Sequence, residues 1–232
     1  MTIGIFEQKL INLKNDLVEM GQDVFTMLKE AGEALVAMDK VKAKEVIKFD
    51  REVNDLENSV VHKAINLIAT NQPVASDLRF LASSLRLAAE LERIGDLGSN
   101  IARRTVEMAH MIEEGEPAEK LPENVSMMVQ KAIFMLEMAL GAFEKGDADS
   151  ARKVIDFDDN IDDCNRTIRK QILKIVNDDG LKAKWGYEII TLASHIERLA
   201  DHATNLAEET VYMAQGKTIR HITHPSNNKN KK

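Results

Sequence analysis

Apolar residues recur along most of this chain at spacings of three and four, the spacing that places side chains along one face of an α-helix. Near the N-terminus they form a narrow stripe that consists of Leu10, Leu13, Leu17, Met20, Val24, Met27 and Ala31. Similar stripes predict five further helices, over about 42–70, 76–113, 123–144, 148–177 and 181–215. The chain is therefore predicted to be all-α, with six helices.

Proline and glycine separate these helices. Pro73 falls between the second and third helices, where a turn is expected because a helix interior rejects proline. Gly115, Pro117 and Pro122 mark a longer link between the third and fourth helices. Short connections favour antiparallel neighbours, so each set of three helices is predicted to form an antiparallel three-helix bundle.

The second half of the chain repeats the first. Residues 92–96 read Glu-Arg-Ile-Gly-Asp and residues 197–201 read Glu-Arg-Leu-Ala-Asp, at an offset of 105 (197 − 92). Further upstream the offset is 108, because Val154–Asp158 matches Val46–Asp50 (158 − 50). The sequence therefore predicts two tandem, pseudo-symmetric bundles, residues 1–115 and 116–216, followed by a polar, flexible tail, residues 217–232.

Composition narrows the class of protein. The chain is 44% hydrophobic and 30% charged with few aromatic residues, which favours a soluble helical protein. No apolar run reaches about 18 residues, so no membrane insertion is expected. Cys164 is the single cysteine, which excludes an intrachain disulfide and favours a reducing cytoplasm. The net charge of −7 argues against nucleic acid and suits a cation or a basic partner.

The repeated motif contains two acids four residues apart, about one helical turn, so both carboxylates point the same way. In an antiparallel helix pair, residues at equal distances from the turn lie at one level. If the second turn is centred at 179–180, Asp162 is level with Glu197, and Asp158 is level with Asp201. These four carboxylates are predicted to form one patch.

The first unit is expected to carry a similar patch. If its turn is centred at Pro73, Asn54 is level with Glu92, and Asp50 is level with Asp96. The acids lie one or two positions away from the apolar stripes, so both patches are predicted to flank the core in open surface grooves.

An acidic surface row has two interpretations. It is commonly a solvated face, and Arg93 and Arg198 are placed to pair with the acids one turn away. Duplication and helix register favour cation binding instead, and carboxylate oxygens suit Mg, Ca, Mn, ferric iron or zinc. His195 and His202 flank the second motif and are interpreted as surface polar residues or as additional ligands.

The motifs also carry a resemblance. Glu92–Asp96 followed by Asn100-Ile101-Ala102, and Glu197–Asp201 followed by Asn205-Leu206-Ala207, resemble the paired motifs of the PhoU family. The resemblance covers nearly the whole chain. It implies a cytoplasmic negative regulator of phosphate uptake and of the phosphate regulon, which acts as a signalling adaptor and not as an enzyme.

The resemblance implies partners and a cofactor as well. Members of this family link the ATPase subunit of the phosphate ABC transporter to a sensor histidine kinase, often form homodimers, and bind multinuclear iron or zinc clusters. The metal-binding role is expected at the matching residues and at the acids level with them: Glu92, Asp96, Glu197, Asp201, Asp158, Asp162 and Asp50. Asn54 departs from a full set of acids, so the first site is expected to bind metal more weakly or to hold a different number of ions.

Two other functions suit the same residues. A cluster of four carboxylates could serve a di-metal, oxidase-like helical enzyme. An acidic face without any ligand would belong to a purely structural helical protein. Spacing reveals no Gly-rich phosphate loop and no nucleophile–base arrangement, so the regulatory adaptor is the leading hypothesis.

Overall fold

The computed structural model describes residues 4–219, which form seven α-helices. The helices are α1 (Ile5–Ala37), α2 (Lys40–Asn71), α3 (Ala75–Glu113), α4 (Glu123–Lys145), α5 (Ala148–Phe157), α6 (Asp159–Asp178) and α7 (Ala183–Gln215). A 3₁₀ turn, Gly180–Lys182, precedes α7. No strand occurs in this part of the chain, and the prediction of an all-α fold is confirmed.

Matching caps start the second helix of each unit. The Asp39 carboxylate accepts hydrogen bonds from the backbone N–H groups of Val41 and Lys42, at 2.9 and 3.0 Å. Asp147, 108 positions later (147 − 39), accepts equivalent bonds from Asp149 and Ser150 at 3.0 and 3.1 Å. Each cap satisfies amide groups that lack a partner inside the helix. The internal repeat therefore extends to local backbone chemistry.

The prediction of one helix over 148–177 is wrong, because the helix breaks at Asp158. The backbone N–H of Asp158 bonds to Ile155, three residues back, at 3.3 Å, and the Asn160 amide donates to the Phe157 carbonyl at 2.9 Å. Short polar side chains such as Asp and Asn compete in this way with helical backbone bonds. Arg51 and Glu52 follow the equivalent Asp50, and α2 is continuous there.

The two units pack through equivalent helices. α1 contacts α4, and α3 contacts α7, whereas α2 packs only on α1 and α3. α5 and α6 pack on α4 and α7. Buried apolar side chains of all seven helices form one cluster, so the core continues from one unit into the other. The helical stripes read from the sequence line this core, and Trp185 is 2% exposed.

α4 is the one described helix that is long and apolar enough to cross a membrane. A helix inside a soluble bundle passes the same test, and 44% of the apolar stretch is buried in the protein. The predicted polar tail lies mainly at 220–232, outside the described residues, and its flexibility stays a prediction.

Candidate functional site

A glycine in the first acidic motif lets α2 and α3 approach closely. Gly95 of α3 faces Val53 of α2, and a Cβ atom at Gly95 would lie 3.1 Å from a Val53 methyl group. This contact shows the register of the antiparallel pair. It places Asp50 beside Asp96, as the position of the turn predicted.

The acidic side chains that α2 and α3 bring together here repel one another. Burial, and then the negative charge of Asp96, raise the pKa of Asp50 above its ordinary value. Burial raises the pKa of Glu92 as well, followed by the charges of Asp96 and Glu57. Each raised pKa shows that ionisation is opposed by the surroundings. Asp50, Glu57, Glu92 and Asp96 are called the first acidic face below.

Glu57 was not predicted to belong to this face. It lies seven residues after Asp50 (57 − 50), two turns along the same side of α2. That spacing is visible in the sequence. With the turn centred at Pro73, Glu92 is level with Asn54, whereas the contact of Gly95 with Val53 brings Glu92 closer to the level of Glu57.

In the second unit α6 and α7 pair as α2 and α3 do, but one of the predicted acids is more deeply buried. Arg169 of α6 donates a 2.9 Å hydrogen bond to the Ser194 hydroxyl of α7, and α7 runs antiparallel to α6. Of the acids predicted to form the second patch, Asp162 and Glu197 are half-buried and Asp201 is exposed. Asp158 is only 6% exposed at the junction of α5 and α6, so the open groove predicted here is wrong at this residue.

The donor chemistry of the first acidic face suits a hard cation, which would relieve the repulsion between its carboxylates. Among residues 4–219, no three His, Cys, Asp or Glu side chains are grouped so that they could hold one metal ion as they stand. A metal would therefore need side chains of this face to turn toward it. Metal ligation by Asp50, Glu92, Asp96, Asp158, Asp162, Glu197 and Asp201 stays a prediction.

Replacing Asp96 by asparagine is expected to lower the pKa of both Asp50 and Glu92, because it removes a neighbouring negative charge. A carboxyl whose folded pKa is raised binds its proton more tightly in the folded state, so wild type gains stability as the pH falls toward about 4. Asp96→Asn should reduce this gain and raise stability at pH 7 by up to about 1 kcal/mol. NMR titration of side-chain carboxyl carbons and urea unfolding at several pH values measure both effects. Unchanged titration of Asp50 and Glu92 would contradict the assigned cause.

A polar network lies where α3 meets α7, between the two units. The Glu90 carboxylate of α3 accepts hydrogen bonds from His202 Nδ1 at 2.7 Å and from Asn205 Nδ2 at 3.2 Å. Its side chain is 7% exposed. Burial alone would raise the pKa of Glu90, but the hydrogen bonds from His202 and Asn205, together with the charges of His202 and Arg93, lower it below its ordinary value.

Two Arg–Glu ion pairs flank this network. Arg86 of α3 contacts Glu209 of α7 at 3.0 Å, and Arg104 contacts Glu188 at 2.9 Å. The residue numbers of these pairs rise along α3 and fall along α7, so the two helices that carry the acidic motifs are antiparallel to each other. Glu209 and Glu188 are 3% and 10% exposed, so both carboxylates are largely removed from water.

The predictions for the neighbouring His and Arg residues are corrected by this interface. Neither His195 nor His202 is an exposed surface residue, because α3 covers the side of α7 on which they lie. Burial, and then the charges of Arg104 and Arg198, lower the pKa of His195. Arg93 pairs back to Glu90, at 3.8 Å, and no ion pair joins it to Asp96 in the described structure.

Comparison with known proteins identifies the family. The model of the PhoU domain matches the chain twice, over residues 17–105 and 125–210. The chain belongs to the PhoU family. The match in both halves agrees with the internal repeat and with the pseudo-symmetric arrangement of the helices.

Named relatives are similar over most of their length. The phosphate-specific transport system accessory protein PhoU homolog of Pseudomonas aeruginosa is 32% identical over 219 residues, 94% of this chain and 88% of the relative. PhoU homolog 1 of Thermotoga maritima, which has the same description, is 32% identical over 93% of this chain and 91% of its own.

Solved structures share the fold. The crystal structure of PhoU from P. aeruginosa matches with a TM-score of 0.85 and 30% identity, over 91% of this chain and all (100%) of that one. The phosphate transport system regulatory protein PhoU of Streptococcus pneumoniae matches with a TM-score of 0.81 and 28% identity, over 92% and 99%. The predicted PhoU-like helical fold is confirmed.

Proposed function

We propose that this protein is a cytoplasmic negative regulator of phosphate uptake and of the phosphate regulon. The observation that carries the proposal is membership of the PhoU family, with relatives named as accessory proteins of phosphate-specific transport systems over nearly their whole length. In this role the protein is an adaptor and not an enzyme. It binds the ATPase subunit of the phosphate transporter and a sensor histidine kinase, and it works as a homodimer.

An adaptor of this kind acts by binding one state of its partner more tightly than another. The rigid connection between α3 and α7 supports such a role, because buried hydrogen bonds and ion pairs join the helices that carry the two acidic motifs. A partner that binds both units would therefore meet two surfaces held at a fixed distance and orientation.

Deletion of the gene tests the regulatory function. Cells without the protein are expected to express a phosphate-regulon reporter in phosphate-rich medium and to take up phosphate without restraint. Wild-type protein should restore repression and should capture the transporter ATPase from replete and starved cells to different extents. Normal repression in the deletion strain would overturn the proposal.

We also propose that metal ions bind to the first acidic face and to the acids predicted to form the second patch. Asp50, Glu92 and Asp96 would hold an ion in the first unit, and Asp158, Asp162, Glu197 and Asp201 would hold one in the second. Iron or zinc would supply positive charge that offsets the repulsion among these carboxylates, and the metal-bearing acidic face would meet a partner. Multinuclear binding and the choice among iron, zinc, Mn, Mg and Ca belong to the same proposal.

Glu197→Gln with Asp201→Asn should reduce the metal bound by the second unit by more than about tenfold. Loss of even a residue that only hydrogen-bonds to a metal ligand typically lowers metal affinity by about that factor. Metal is removed with a chelator, iron, zinc or manganese is added back, and the content is measured by elemental analysis. Helicity by circular dichroism should not change, since Asp201 is exposed and Glu197 half-buried. Glu19→Gln with Glu30→Gln, two exposed acids of α1, is the matched control. Equal metal content in both variants would refute ligation by Glu197 and Asp201.

The alternative is a di-metal, oxidase-like enzyme. Oxygen consumption by the metal-loaded protein separates it from the adaptor. Turnover in that assay, together with unchanged phosphate uptake in the deletion strain, would favour the enzyme hypothesis over the adaptor hypothesis.

A further inference from the structure

The outer side of α4 carries exposed apolar residues among polar ones such as Gln130 and Glu137. Phe134 and Met127 on this side are 49% and 42% exposed. Met138 is half-buried, and Phe134 is held by an edge-on contact with Phe157, with 5.6 Å between the ring centroids. Met127, Phe134, Met138 and Gly141 are called the α4 face below.

Gly141 lies inside α4 at the C-terminal end of this face, and nothing in the described structure requires a glycine there. A Cβ atom at Gly141 would meet no other atom within 4 Å. Glycine is among the least favourable residues for a helix interior, so it weakens α4 without an internal reason. The lack of a side chain would allow another molecule to approach the helix closely.

Two grooves meet at Gly141. One, of about 460 Å³, runs between α4 and α5 and is lined by Phe134 and Met138. The other, of about 210 Å³, runs between α4 and α1 and is lined by Val18, Phe25 and Leu140. Together the two grooves form one shallow surface depression that extends to both sides of α4 and is called the saddle below.

The equivalent surface of the first unit is polar. At the offset of 108, Phe134 corresponds to Thr26 (134 − 108), Met138 to Glu30 and Gly141 to Glu33, and all three α1 residues are exposed. The fold therefore does not demand an apolar surface at this place. Apolar residues at these positions of only one unit point to a binding role there.

The charges differ between the two grooves: Glu137 and Glu144 line the groove beside α1, whereas the groove beside α5 favours an acidic flank of a partner. Lys145 and Lys153 line the groove beside α5, with Glu137 as the one acid that lines it. The groove thus carries a positive balance in a chain whose net charge is −7. Acidic residues on one flank of a partner helix would complement these lysines.

We propose that the α4 face binds an amphipathic helix of a partner protein, with a bulky apolar side chain over Gly141 and acidic residues beside Lys145 and Lys153. Helix-in-groove recognition uses apolar anchors at helical spacing, which the two grooves would receive. The inference rests on the proposed adaptor function only in taking a protein as the partner. It adds a docking surface apart from both acidic motifs.

Site-specific photo-crosslinking tests the proposal in living cells. Phe134→p-benzoylphenylalanine in the full chain is irradiated, and mass spectrometry maps the attached peptide. The expected peptide is an amphipathic helical segment of another protein with acidic residues along one flank, and the matched variant Thr26→p-benzoylphenylalanine should not capture it. Crosslinks to a second copy of this chain, to lipid only, or to nothing would overturn the proposal. If circular dichroism shows that the Phe134 variant is unfolded, the same reporter is placed at Met127.

A substitution that fills the saddle gives an independent readout. Gly141→Leu, added to the crosslinking variant, should raise the melting temperature and weaken adduct formation about tenfold or more, as loss of a central contact does. Glu33→Leu, the equivalent change on α1, should leave the adduct unchanged. An undiminished adduct in Gly141→Leu would overturn the docking surface. The phosphate-regulon reporter in the deletion strain is scored separately, so failure of the docking surface and failure of the regulatory function are distinguishable.

Discussion

His202→Leu is expected to lower the free energy of unfolding by about 3 kcal/mol, because it removes one partner of a buried hydrogen-bonded carboxylate. Glu90, 7% exposed at its side chain, would keep the bond from Asn205 and the distant charge of Arg93, at 3.8 Å. Urea unfolding followed by circular dichroism measures the loss.

The double variant Glu90→Leu with His202→Leu is the control for this prediction. Apolar residues in place of both partners leave no buried charge, so most of the lost stability should return. A double-mutant cycle then gives the coupling between Glu90 and His202. Additive losses, with no coupling, would mean that the contact does not join the units.

The same variant has a defined pH dependence. The folded pKa of Glu90 lies below its ordinary value of 4.5, so its hydrogen bonds add stability above about pH 4.5 and lose this effect as the pH falls through the folded value. The difference in stability between wild type and His202→Leu should therefore be full at pH 7 and shrink below about pH 4.5. A constant difference over this range would show that packing and not charge is responsible.

Gly95→Leu is expected to cost about 3 kcal/mol, at the upper end for overpacking a core position. Already a Cβ at this position would lie 3.1 Å from Val53, whose branched side chain has little freedom to move. The added bulk should push α2 from α3 and carry Asp50 away from Asp96. The pKa of Asp50 and of Glu92 should then fall toward their ordinary values, and metal binding by the first unit should weaken.

Ala200→Gly supplies the comparison, since Ala200 is the counterpart of Gly95 (200 − 105) and is fully buried. It adds no bulk and should cost only about 1 kcal/mol, from glycine in a helix interior. Carboxyl titrations in the first unit should be unchanged. If Gly95→Leu left those titrations unchanged too, the close approach of α2 and α3 would not be what holds the acids together.

Much of the first acidic face was visible in the sequence. Equal rise per residue in two antiparallel helices placed Asp50 beside Asp96 once Pro73 had located the turn. Glu57 was not predicted because the contact of Gly95 with Val53 shifts the level of Glu92 from Asn54 toward Glu57. The break at Asp158 was missed as well, although Asp158, Asp159 and Asn160 are three consecutive residues that compete with helical hydrogen bonds.

The network at Glu90, His202 and Asn205 could not be found in the same way. Helical periodicity says on which side of its own helix a residue lies, and from it His202 is interpreted only as a surface polar residue or an additional ligand. It does not say which other helix covers that side. α3 and α7 are 70 residues apart between their nearest ends (183 − 113), and only their packing turns His202 from a surface residue into an interface residue.

The sequence by itself determined the helical class, the duplication and the level of the acids within each helical hairpin, because spacing along one chain and the rise of one helix are local properties. Tertiary structure decided how the two units meet and which carboxylates are buried. These outcomes depend on contacts between helices distant in the chain, and such contacts leave no periodic signal in either helix alone.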